Sequence, residues 1–174
     1  MRTNFLLLIA CVLFIASCGN ESKENANVPA GMTQVDLTKY GLDATINIPD
    51  STNGTAEIVQ QSWGATEIKI GQGFQLSIIE DAGDISLAKS DVAGNDVNKL
   101  KKYLIDEPTT ILYESSIIEN QSEYHLYAII KTGEKSFVVE DIKGDAFSEK
   151  EIRTMLESAK SITAKTKSAS GKAS

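Results

Sequence analysis

The chain carries one histidine, His125, so a Ser-His-Asp relay or any other histidine-dependent general base has to use it. No G-x-S-x-G nucleophile elbow occurs in the sequence. His125 stands between Tyr124 and Leu126 in an alternating apolar pattern, which reads as a strand with the ring on the less buried face beside Tyr127. Trp63, the single tryptophan, lies in Ser62-Trp63-Gly64. It suits a sugar-stacking platform or an interface anchor, and equally the end of a hairpin. Trp63, His125 and Tyr127 are therefore the candidate ligand or partner contacts.

Other patterns fall short of a defined chemistry. Glu80-Asp81 with Asp84, and Glu140-Asp141 with Asp145, gather oxygen ligands of the kind Ca²⁺ takes. Counting an EF-hand loop from Asp141 puts Lys143 at position three and Ile152 at position twelve, so that rule fails and solvated loop acids account for both groups. Gly71-Gln72-Gly73 follows a strand pattern, but the residues after it, Phe74 to Ile79, continue as strand where a phosphate-binding loop needs a helix N-terminus. A hairpin turn explains both glycines. No catalytic residue, metal site or cofactor is expected, and the chain reads as non-enzymatic.

Composition narrows the choice further. The 174 residues carry 17 Lys+Arg against 24 Asp+Glu, a formal charge of −7, and the pI is near 4.8. A basic nucleic-acid interface is excluded on that balance.

The N-terminus gives the clearest statement of destination. Met1-Arg2-Thr3-Asn4 forms a short positive region, twelve apolar residues run from Phe5 to Ala16, and the chain turns polar after Cys18. Twelve helical residues span roughly 18 Å, short of the roughly 30 Å hydrocarbon core, so this reads as a secretory signal and not a membrane span. Ile15-Ala16-Ser17-Cys18 resembles the lipobox of bacterial lipoproteins. The resemblance implies cleavage before Cys18, a lipidated Cys18 as membrane anchor, and a place in the bacterial cell envelope facing the periplasm or the exterior. Cys11 leaves with the signal, so no intrachain disulfide is expected in the mature protein.

Four segments follow: a signal peptide over 1–17, lipidated Cys18 with a flexible tether to 30, one domain over 31–163, and a disordered polar tail over 164–174. The domain contains 12 basic and 22 acidic residues, for a charge of −10. Strand patterns occupy Ala44–Ile48, Glu57–Gln61, Glu67–Ile70, Phe74–Ile79, Thr110–Ile118, Glu123–Lys131 and Lys135–Ile142. Thr132-Gly133-Glu134 suits a tight hairpin inside a three-stranded meander over Thr109–Ile142. Ser148 and Glu151 form a capping box, and Ile152, Met155, Leu156 and Ala159 follow helical spacing behind it. A second helical region is expected over Asp84–Leu104, broken near Gly94, with Asp84 and Asn95 as caps and Val97, Leu100 and Leu104 on one stripe.

Strands, helix, strands, helix is an α+β order: a curved antiparallel sheet with a central helical segment and a C-terminal helix packed on it. With the opening strand Thr45-Ile46-Asn47-Ile48-Pro49, this order over Gly31–Ile162 resembles the PsbP-like fold of small extracytoplasmic proteins. Asp50-Ser51-Thr52 stands where that family often has Trp. The resemblance implies an adapter or assembly factor; a cystatin-like sheet shares the pattern. The functional expectation is a lipid-anchored binding or scaffolding module for an envelope protein partner. The alternative is a lipoprotein that binds a small molecule, glycan or cation.

Overall fold

The computed structural model describes residues 28–117 and 121–165. The segments expected as signal peptide, lipidated Cys18 and most of the tether, together with Ile118 and the expected tail beyond 165, lie outside the described residues. Among the described residues, no helix is long and apolar enough to cross a membrane.

Among the described residues, ten strands and two α-helices build a mixed α+β structure. In chain order they are β1 (Met32–Asp36), β2 (Ala44–Pro49), β3 (Ala56–Gln60), β4 (Thr66–Ile70), β5 (Phe74–Glu80), α1 (Ile85–Ala93), β6 (Lys99–Glu107), β7 (Thr110–Ser116), β8 (Glu123–Thr132), β9 (Lys135–Asp141), α2 (Glu149–Lys160) and β10 (Thr163–Ala164). Seven strands form one sheet in the order β3-β4-β5-β9-β8-β7-β6, and β1, β2 and β10 form a small second sheet. Every pairing is antiparallel. The chain leaves β5 in mid-sheet, crosses through α1 to the β6 edge, and returns by meander until β9 pairs with β5.

Period-two alternation gives the large sheet two different faces. Ile68, Leu76, Ile78, Leu112, Leu126, Ala128, Phe137 and Val139 point into the core, where α2 contributes Ile152, Met155, Leu156 and Ala159. Leu37, Leu42, Ala44, Ile46 and Ile48 come from the small sheet and its connection. The expected capping box is formed: Ser148 Oγ accepts from the Glu151 N–H, and Glu151 Oε2 accepts from the Ser148 N–H at 2.7 Å. The hairpin at Gly133-Glu134 joins Thr132 to its partner Lys135 in register.

Three elements differ from the sequence expectation. Only the first half of the Asp84–Leu104 region is helical. Residues 99–107 pair with β7 as an edge strand, with irregularities at Leu100/Lys102 and Tyr103/Ile105. Those irregularities interrupt the alternation, so Lys101-Lys102 and the Val97/Leu100/Leu104 spacing mimic a helical stripe. The meander thus has four strands. Strand β1 is half-exposed and shows little apolar alternation, and β10 has only two residues. The folded unit also runs two residues past its expected end, because Ala164 pairs with Ala44 and the Lys165 N–H donates to the Asp43 carbonyl at 2.9 Å.

Candidate functional site

Helix α1 covers the second face of the sheet, yet none of its residues is buried. It is held by its ends. At the start, Asp84 Oδ1 accepts from the N–H groups of Ser86 (2.8 Å) and Leu87 (3.1 Å), an N-cap that leaves the Asp84 N–H to donate to the Tyr127 hydroxyl at 3.2 Å. Gly83 has φ +67°, and a Cβ there would lie 2.8 Å from the side chains of Ile129 and Val138. Only glycine lets the backbone pass this close to the sheet. At the far end, Gly94 closes the helix and Asn95 Oδ1 accepts from the Val97 and Asn98 N–H groups. Lys89 adds an ion pair to Asp106 of β6.

Capped at both ends, tied to β6 through Lys89 and with none of its residues fully buried, α1 roofs a cavity of about 640 Å³. Leu87, Ala88 and Val92 line it from the helix, and Ile79 and Val138 from adjacent strands. Tyr113 and Tyr127 add phenol rings. The charged lining is unbalanced: Asp81, Asp84, Asp91 and Glu140 against Lys143.

Glu140 sits centrally in this floor, in register with Ser77 on β5 and Tyr127 on β8. Asp81 and Asp84 are engaged by backbone N–H groups, whereas no hydrogen bond or ion pair within 4.0 Å engages the half-buried Glu140 carboxylate among the described residues. Burial, reinforced by neighbouring Asp141 and only partly offset by Lys143, pushes its carboxyl above the ordinary glutamate range. Lys143 is held above the ordinary lysine range: desolvation works against this, and Asp141, Tyr113 and Glu140 overcome it.

His125 lies beneath this layer and is only 3% exposed. The expectation of a less buried face is corrected here: Tyr113 covers the ring at a 5.1 Å centroid distance, and Asn98 closes over its edge. His125 Nδ1 donates to Asp141 Oδ2 at 2.8 Å, since a carboxylate only accepts, and Nε2 then accepts from Asn98 Nδ2 at 3.0 Å. Asp141 Oδ1 takes the Leu126 N–H at 2.7 Å. Burial pushes the Asp141 carboxyl up, but the bond from His125, the charge of Lys143 and the Leu126 N–H together hold it below the ordinary aspartate value. Both ring nitrogens are occupied, so His125 acts as a structural clamp between the end of β9 and the chain leaving α1. The clamp leaves Asn98 Oδ1 buried with no hydrogen-bond partner among the described residues.

The three sequence candidates are dispersed. Tyr127 lines the cavity, His125 supports its floor, and Trp63 lies in the β3–β4 turn, 60% exposed and outside the cavity. Gly71 to Gly73 form the β4–β5 turn. The two acidic groups are drawn apart by other partners: Glu80 pairs with Lys135, Asp141 with His125, and Asp145 accepts from Gln75 Nε2 at 2.6 Å. No group of three His, Cys, Asp or Glu suited to a metal ion occurs among the described residues. Glu140, Lys143 and Asn98 were not singled out individually by sequence reasoning. The available signal was the acid-rich cap at Asp81-Ala82-Gly83-Asp84 facing a strand with an unshielded glutamate. Comparison with known proteins finds no family model, no curated protein and no solved structure that matches this chain.

Proposed function

We propose that this protein is a lipid-anchored, non-enzymatic binding module of the bacterial cell envelope, and that it holds a small organic ligand between α1 and the large sheet. The observation that carries the ligand reading is the cavity itself. Its volume of about 640 Å³ falls within the roughly 300–1,000 Å³ of small-molecule sites, and its mixture of apolar walls and a few polar groups is the usual composition of such a site. Anchoring rests on the lipobox residues Ile15 to Cys18. The PsbP-like reading is supported by the order of elements: a strand closed by Pro49, one helix between the strand runs, a long meander and a closing helix.

The test is to purify the chain from its native envelope, denature it and identify co-released small molecules by mass spectrometry, alongside an Ala88→Phe variant that fills the cavity. A stoichiometric small molecule released by the wild type and missing from Ala88→Phe is expected. Equal release from both proteins, or none from either, contradicts the reading.

A second reading, a protein-binding scaffold, draws on the other end of the sheet. There Val59 (42%) and Trp63 (60%) are exposed on the edge hairpin β3–β4. Loss of crosslinks to an envelope protein on changing Trp63 to Ser would favour it.

A further inference from the structure

The cavity has a polarity that its volume does not reveal. Four of its five charged lining residues are acidic, and among the described residues two of them carry no hydrogen bond or ion pair: Asp91, which is exposed on α1, and Glu140, which is half-buried on the sheet floor. Each of the others whose partners are described is committed: Asp81 to the Gly83 N–H, Asp84 to the start of α1, and Lys143 toward Asp141 Oδ1 at 3.4 Å. Nearby, Asn98 Oδ1 is a buried acceptor with no partner among the described residues, because the clamp on His125 uses the Asn98 amide nitrogen. An acceptor-rich floor, with a carboxylate that Lys143 compensates only in part, lies under an apolar roof of Leu87, Ala88 and Val92. Buried acceptors lower their free energy by gaining donors, and a charge-assisted donor gives the strongest bond.

We infer that the cavity selects small amphipathic amines, seating the ammonium group on Glu140 and the hydrocarbon body against Leu87, Val92, Ile79 and Val138. This rests on the ligand-binding reading above and adds the chemical class. Neutral and anionic molecules of the same shape bind more weakly. The first leaves the carboxylate unpaired, and the second meets a site with net negative charge. Desolvation of Glu140 supports the same conclusion, since the charge of a seated cation offsets that cost.

The experiment titrates the full chain, in neutral detergent, with 4-phenylbutylamine, 4-phenylbutanol and 4-phenylbutyrate, reading amide NMR shifts and affinities. Glu140→Gln, nearly isosteric, and Glu107→Gln at the end of β6, outside the cavity lining, are titrated alongside. The amine is expected to move the amides of Leu87, Ala88 and Val138 and to bind on the order of tenfold more tightly than the alcohol. Glu140→Gln should erase that preference, bringing the amine's affinity down to that of the alcohol, and Glu107→Gln should retain it. If all three probes move the cavity amides with equal affinity, or the acid binds best, the amine inference is overturned while the cavity remains a ligand site. If none moves those amides, the ligand-binding reading fails and the inference with it.

Discussion

His125 Nδ1 and Asp141 Oδ2 are 2.8 Å apart, with both side chains almost fully excluded from solvent. This is the geometry of a catalytic His–Asp pair, yet the opposite ring nitrogen meets Asn98 instead of a nucleophile. The pair therefore holds the cavity floor in place. Removing one member of such a buried pair costs about 3–5 kcal/mol. His125→Ala and Asp141→Ala should each lower the unfolding free energy obtained from urea titration by that order, and the double variant should cost less than the sum, as expected for one shared interaction.

The same pair gives stability a direction in pH. Asp141 is held below its ordinary value, so its contribution is complete above the unfolded aspartate pKa of about 4 and is lost as pH falls below it. Urea midpoints between pH 7 and pH 3 should drop steeply in the wild type below pH 4 and more gently in Asp141→Asn. Parallel curves for the two proteins would remove Asp141 as the source.

Glu140 runs the other way. Its carboxyl is raised in the folded protein, so stability declines as pH rises from the unfolded glutamate pKa of about 4.3 through the folded value, and the penalty persists at neutral pH. Glu140→Gln should consequently raise Tm at pH 7, by about 2–4 °C for each ~1 kcal/mol in a chain of this size. Calorimetry at pH 7 checks it, and a lowered Tm contradicts the assignment.

Gly83 combines a left-handed backbone with close approach to Ile129 and Val138. Gly83→Ala adds roughly 1–2 kcal/mol of backbone cost and forces α1 away from the sheet. The expected outcome is faster amide exchange across Ile85–Ala93 with little change in α2. Uniform loss of protection in both helices would show that α1 is not held independently.

How far the sequence discloses this arrangement depends on the kind of signal. Helix α2 is legible because its cap and its apolar stripe agree, and Ser148 and Glu151 close the box as their spacing requires. The hairpin at Gly133 and the alternation of Leu126 and Ala128 are local patterns and survive in the fold. Strand β6 is not legible, because its irregular pairing scrambles period two. His125 misleads for a different reason: alternation identifies its face correctly, but that face is covered by Tyr113 and Asn98, which arrive from 12 residues upstream and from beyond α1. The cavity is a tertiary feature altogether, created by where α1 is pinned.

Amide hydrogen exchange of the full chain with and without saturating 4-phenylbutylamine tests the central claim most directly. Slower exchange is expected over Ile85–Ala93 and the adjoining β8–β9 residues, with none around Trp63. Protection centred on the β3–β4 turn, or no change anywhere, would contradict a ligand site beneath α1.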